Sequence, residues 1–187
     1  MRKKDDEKQQ RIKDAVMQLI LQEGFAGTSI SKIARAAGVS PATVYIYYDS
    51  KEAMLRDIYT EYSEEVFGYL IRRTEPEMTS RELIATLMRS YYNYIQENEE
   101  VFSFVEQFSQ CPALACQCGG KQDICRLFSL IDERQARGEI RSYSHESLAA
   151  AIFSPVKAVA SEPRRTEEER RSELEEIIEM IERALLW

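Results

Sequence analysis

The chain has 187 residues, 44% of them hydrophobic, and carries 25 Lys/Arg against 32 Asp/Glu for a formal charge of −7. That length exceeds what one small module needs and leaves room for a second, larger helical domain with its own core. No stretch approaches the roughly 18 apolar residues of a membrane span, and the opening MRKKDDEKQQ lacks the apolar run of a secretory signal, so a cytoplasmic protein is expected.

Glycine and proline are scarce, 7 and 5 residues, and they fall at the breaks of a helical pattern. A first helix over about 5–23 places Ile12, Ala15, Val16, Leu19 and Ile20 on one face and stops at Gly24. Short helices over 29–37 and 41–47 follow. A long fourth helix, capped by Ser50, runs to about Arg72 with Met54, Leu55, Ile58, Tyr62, Val66, Tyr69 and Leu70 at helical spacing. TEPEMT interrupts it. Thr79 and Glu82 have capping-box spacing for a helix over 80–97. Asn98 is placed to cap a helix over 99–109, and a Pro- and Gly-containing loop follows from Cys111 to Gly120. The next helix covers 121–137 and ends at Gly138. Ser144 opens another to Ala160, where Pro155 removes a donor and predicts a kink. Thr166 and Glu169 repeat the capping box before a last helix over 167–186. No β-alternation and no internal repeat is visible. The fold class is all-α with about nine helices: a three-helix N-terminal domain over 1–50 and a larger helical domain over 51–187.

The segment TSISKIARAAGVSPATVYIYYDSK, residues 28–51, carries most of the functional information. Ile30, Ile33, Ala34 and Ala37 keep helical spacing. Gly38 falls where a turn needs positive φ. Val39 plugs the turn, and Ser40-Pro41 opens a new helix with serine as N-cap and proline at the first helical position. A helix, a glycine turn and a second short helix with a small, polar outer face is the DNA-reading helix-turn-helix plan, whose second helix enters the major groove.

The order Thr28, Ile33-Ala34, Ala37-Gly38-Val39-Ser40, Thr43-Val44-Tyr45, Tyr47-Tyr48, Ser50-Lys51-Glu52 and Leu55 resembles the N-terminal domain of the TetR family of bacterial transcriptional regulators. Ala42 stands where that family often has Gly, and Tyr48 where Phe is common, which leaves the base preference open. The resemblance implies a homodimer on a palindromic double-stranded DNA operator, most often a repressor, released by a small-molecule effector.

Charge distribution fits DNA binding better than the total does. Residues 1–51 hold nine Lys/Arg and six Asp/Glu, whereas the remainder holds sixteen and twenty-six. A phosphate-facing surface needs local positive charge, not a basic protein. The expected DNA-binding residues are Thr28, Ser40, Pro41, Ala42, Thr43, Tyr45, Tyr48 and Lys51. Thr43 suits a base edge or a phosphate. The resemblance places Tyr45, Tyr48 or both near phosphates and matches Lys51 to the family lysine opening the fourth helix, where the helix dipole also favours an anion. Tyr45 has a second reading as packing between helices, and Thr28 reads as a cap of the second helix. Arg2, Lys3 and Lys4 form a basic arm or a solvated terminus.

In the last helix Leu174, Ile177, Ile178, Ile181 and Leu185 make an apolar stripe. The resemblance implies that it joins a four-helix dimer bundle, and packing within its own chain is the alternative. An effector pocket between helices is expected from the aromatic and methionine-rich middle: Tyr62, Met88, Tyr91, Tyr92, Phe102, Phe104, Phe108 and Phe128, most of which also serve as ordinary core.

Four cysteines, Cys111, Cys116, Cys118 and Cys125, fall in one window. They fit a thiol sensor, a soft-metal site, or incidental residues, with Cys125 expected to be buried among Ile124, Leu127, Phe128 and Ile131. Their spacing lacks the paired C-x2-C of common zinc sites, and His145 is the only histidine. No metal and no cofactor is therefore called for. With no phosphate loop or metalloprotease motif an enzyme is not expected. A rival from another class is a helical protein-interaction module that does not bind DNA.

Overall fold

The computed structural model describes residues 2–109 and 122–187, with side chains from Asp6 to Phe108 and from Gln122 onward. The described residues form nine helices: α1 Arg2–Gly27, α2 Ile30–Ala36, α3 Pro41–Tyr47, α4 Lys51–Ile71, α5 Ser80–Glu97, α6 Glu99–Ser109, α7 Gln122–Ala136, α8 His145–Ala160 and α9 Glu167–Leu185. The fold is all-α; among the described residues the nearest thing to a strand is a single bridge between Ile140 and Leu186.

Local chemistry sets most of these boundaries. Gly24 breaks the helical path of α1 at φ 70°. Both capping boxes form, with Thr79 and Glu82 bonding each other's backbone at the start of α5 and Thr166 with Glu169 doing the same for α9. The Ser50 hydroxyl accepts from the Ala53 amide at 3.0 Å and opens α4. Asn98 behaves differently from expectation. Its side-chain amide donates backward to the Tyr94 carbonyl at 3.2 Å, so it closes α5 instead of opening α6. Residues 2–4 belong to α1, so the basic arm is helical backbone and not a free tail. α8 passes through Pro155 as one helix.

The described residues divide into two compact units, one within 2–63 with 100–109, the other within 64–99 with 122–187. In the first, α1 contributes Ile12, Ala15, Val16 and Ile20, α2 contributes Ile33 and Ala34, and α3 contributes Val44, all buried. Met54, Leu55, Ile58, Tyr59 and Tyr62 of α4 meet Phe104 and Phe108 of α6 in the same core. Burying side chains of this size stabilises by about 1.5–3 kcal/mol each, which is how seven-residue helices too short to persist alone are held.

In the second unit α5 is the central element. Leu83, Ile84, Leu87, Met88, Tyr91, Tyr92, Tyr94 and Ile95 are all buried, more than one stripe's worth. It packs against α8 and α9. The buried charged residues are paired: Glu182 binds Arg81, and Arg134 donates to the Met78 carbonyl at 2.7 Å and to Glu139 at 3.3 Å. After α9 the chain ends at Trp187, which is 83% exposed with the Arg141 guanidinium 4.6 Å from its ring centre.

Candidate nucleic-acid interface

The turn between α2 and α3 is built as a small locked unit. Gly38 sits at φ 65° and its amide donates to the Arg35 carbonyl at 3.2 Å. The Val39 amide closes the turn onto the Ala34 carbonyl at 2.9 Å. Ser40 then caps α3, its hydroxyl accepting from the Thr43 amide at 3.1 Å, with Pro41 at the first turn. The Ser40 and Thr43 hydroxyls also bond each other at 2.9 Å. Val44, completely buried, anchors the helix to the core.

One anchored residue in a short helix forces its neighbours outward. Pro41, Ala42, Tyr45 and Ile46 form the exposed face, with Tyr45 at 55% and Ile46 at 78% exposure. Tyr45 therefore does not pack between helices. Ile46 was not singled out by the sequence, because helical spacing alone gives an isoleucine to the core; its position two residues past Val44, about 200° around the helix, is the signal that places it outside.

Tyr48 departs from expectation. It is 5% exposed, as the C-cap residue folds its ring onto the core. Burial raises its phenol pKa most, with Glu61 and Asp57 adding to this and a Gln9 contact opposing it. Tyr48 is thus a core residue and not a presented hydroxyl. Thr28 is corrected as well. Ser29 is the N-cap of α2, accepting from the Lys32 amide, while Thr28 is buried and donates its hydroxyl back to the Gly24 carbonyl at 2.9 Å. The two neighbouring hydroxyl residues look equivalent in sequence. Only the backbone path leaving Gly24 separates them.

Lys51 has a structural task. Its ammonium donates to the carbonyls of Phe25, at 2.9 Å, and Thr28, and lies 4.5 Å from the centre of the Phe25 ring. Two of the three donors of a lysine thus tie the end of α1 to the start of α4. Other cations around the turn differ in availability. Lys32 is paired with Glu23 and Lys13 with Glu61. Arg11 and Arg35 are exposed, and among the described residues no carboxylate pairs with either. A Cβ on Gly38 would lie 3.5 Å from an Arg11 guanidinium nitrogen, so Arg11 borders the turn.

Residues 12–58 match the model for bacterial regulatory proteins of the tetR family. A crystal structure of a TetR-family transcription regulator from Marinobacter aquaeolei VT8 is 26% identical and superposes with a TM-score of 0.82, covering 100% of this chain and 99% of that one. The chain belongs to the TetR family. It is a TetR-family transcriptional regulator with a helix-turn-helix. An uncharacterized HTH-type transcriptional regulator of Haemophilus influenzae is 23% identical over 190 aligned positions, 99% of each chain. The fatty acid metabolism regulator protein of Bacillus subtilis is 29% identical over 92 residues, spanning 47% of this chain and 45% of that protein. These relatives are regulators and not enzymes.

The remaining expected sites fall as follows. Leu174, Ile178 and Leu185 are buried within the chain's own second unit, against their assignment to a dimer face. Ile177 and Ile181 are half-buried on an adjacent face, joined there by Met180 at 67% exposure, which the sequence reading passed over. Of the residues expected in a pocket, Tyr62, Phe102, Phe104 and Phe108 belong to the first unit and Met88, Tyr91, Tyr92 and Phe128 to the second. Tyr62 meets Phe104 edge-on at 5.6 Å, and Phe128 stacks on His145 at 4.3 Å. A cavity of about 430 Å³ in the second unit is lined by Ile71, Thr74, Glu75, Pro76, Arg126, Ser129, Leu130, Glu133, Arg134 and Arg137. Cys111, Cys116 and Cys118 lie outside the described residues. Cys125 is exposed on α7, not buried, because Leu127 and Ile131 take the inward face. No helix of the described residues is long and apolar enough to cross a membrane, and no group of three metal-binding side chains occurs among them.

Proposed function

We propose that the chain binds a palindromic DNA operator as a homodimer, represses transcription there, and is released by a small, largely hydrophobic effector in the cytoplasm. The observation that carries the reading is the exposed α3 face, with Tyr45 and Ile46 held outward by buried Val44 beside an ordered glycine turn, inside the stretch that matches the family. Tyr45, Thr43 and the exposed Arg11 and Arg35 are assigned to phosphates and base edges, and Lys51 to positioning α4.

The dimer is assigned to the outer stripe of α9, Ile177, Met180 and Ile181, whose apolar area is left partly uncovered within the chain. Two recognition helices about 34–36 Å apart then address successive turns of one DNA face. The functional division is set at residue 50, with 51–187 holding the effector and dimer functions. α4 is an unbroken helix from Lys51 to Ile71, and it is the element through which the effector acts on DNA affinity, with a coupling of about 1–3 kcal/mol. Met54, Ile58 and Tyr62 transmit it.

Fluorescence anisotropy with labelled DNA from around the chain's own gene tests the reading. One segment is expected to bind tightly, to weaken steeply with salt, and to lose affinity on Tyr45→Ala. Absent or salt-independent binding would favour the helical interaction module instead.

A further inference from the structure

We propose that α3 reads its operator half-site chiefly through thymine methyl groups, packed in the major groove against Ala42 and Ile46. This rests on the DNA-binding reading above and adds what that reading leaves open, the class of base recognised.

The argument begins with what α3 lacks. Major-groove guanine is read by Arg or Lys, adenine by Asn or Gln, and cytosine by Asp or Glu, each through a side chain of matching donors and acceptors. Pro41 to Tyr47, PATVYIY, contains none of these. The two hydroxyls of its first turn, Ser40 and Thr43, are bonded to each other. Apart from Tyr45, the exposed face is instead aliphatic. Ala42 and Ile46 are four residues apart, so they lie above one another on one side of the helix, and Ile46 is 78% exposed. The thymine C5-methyl is the one apolar group that a base pair presents in the major groove, and alanine-type contacts recognise it.

Two further observations fit duplex DNA as the partner of this apolar face. The cations bordering the turn, Arg11 and Arg35, are exposed without a carboxylate partner among the described residues. Residues 1–51 carry nine basic against six acidic side chains in a chain that is otherwise acidic. An apolar strip flanked by unpaired positive charge is complementary to methyl groups lying between phosphate rows.

Binding sites enriched by the full-length chain from random duplexes give the probe. In the enriched site each thymine is replaced singly by deoxyuridine, which removes only the methyl group. At one or two positions per half-site the affinity is expected to fall about fourfold, the transfer free energy of one methyl expressed as a ratio. Ile46→Ala is expected to abolish that dependence at one position. Ile46→Val is expected to restore most of it. Because Ile46 is exposed, both variants are expected to keep the helical content and melting temperature of the parent. Tight, sequence-specific binding with no uridine effect at any position would overturn the proposal alone, as would an enriched site whose contacted step requires guanine. Failure to enrich any sequence would overturn it together with the functional reading.

Discussion

α3 and α9 are both helices that carry isoleucines, and they use them in opposite ways. α3 has seven residues and buries one large aliphatic, Val44, so Pro41, Ala42, Tyr45 and Ile46 face outward. α9 has nineteen residues and buries Leu174, Ile178 and Leu185 at intervals of four and seven, so the face left over begins only at Ile177, Met180 and Ile181. The difference teaches that an apolar residue's job is set by how much of its helix the core has already claimed. A helix that needs its apolar residues for anchoring cannot also offer all of them outward.

The sharpest way to break this contrast is on α9. Ile178→Ala is expected to lower unfolding free energy by about 2–5 kcal/mol in chemical denaturation, because it leaves a cavity in the second unit. If it changed only self-association, the assignment of Ile178 to the chain's own core would fail. In the first unit, Lys51→Met removes the ammonium that holds two backbone carbonyls, and a loss of about 1–3 kcal/mol is expected from the same measurement. Gly38→Ala follows at about 1–2 kcal/mol, since φ near 65° strains any Cβ. Ser40→Ala deletes the α3 cap and is expected to cost about 1 kcal/mol, read as a thermal-melt shift. Smallest on folding is Met180→Ala, expected within about 0.5 kcal/mol as a surface change. Its effect should appear in sedimentation velocity as a weaker dimer, and an unchanged dimer would move the interface elsewhere.

Features written in local chemistry were readable from the sequence. The Gly38 turn, the Ser40 cap and both Thr–Glu capping boxes need only neighbouring residues, and each stands where the spacing placed it. Features that depend on which side of a helix meets the core were not. Cys125 and the inner and outer rows of α9 each required knowing the rotation of a helix about its axis, and helical periodicity fixes a face without naming what covers it, while Tyr48 turns inward on the extended backbone that ends α3. Thr28 and Ser29 show the same limit at shorter range. Both are capping residue types, and the choice between them is made by the backbone leaving Gly24. The aromatic residues of the middle were recognised as buried, but their distribution between two units is a property of chain topology that composition does not carry.

Trp187 gives the contrast a reporter already present in the chain. It is the single tryptophan, 83% exposed just beyond α9, with a guanidinium over its ring. Its emission colour is therefore tuned by water and one nearby cation, not by a packed interior. Excited at the red edge, where the ten tyrosines do not absorb, it makes α9 an optical sensor that needs no dye. A blue shift on concentrating the protein would mean that this end of the helix becomes covered, whereas a constant spectrum would leave it outside any interface.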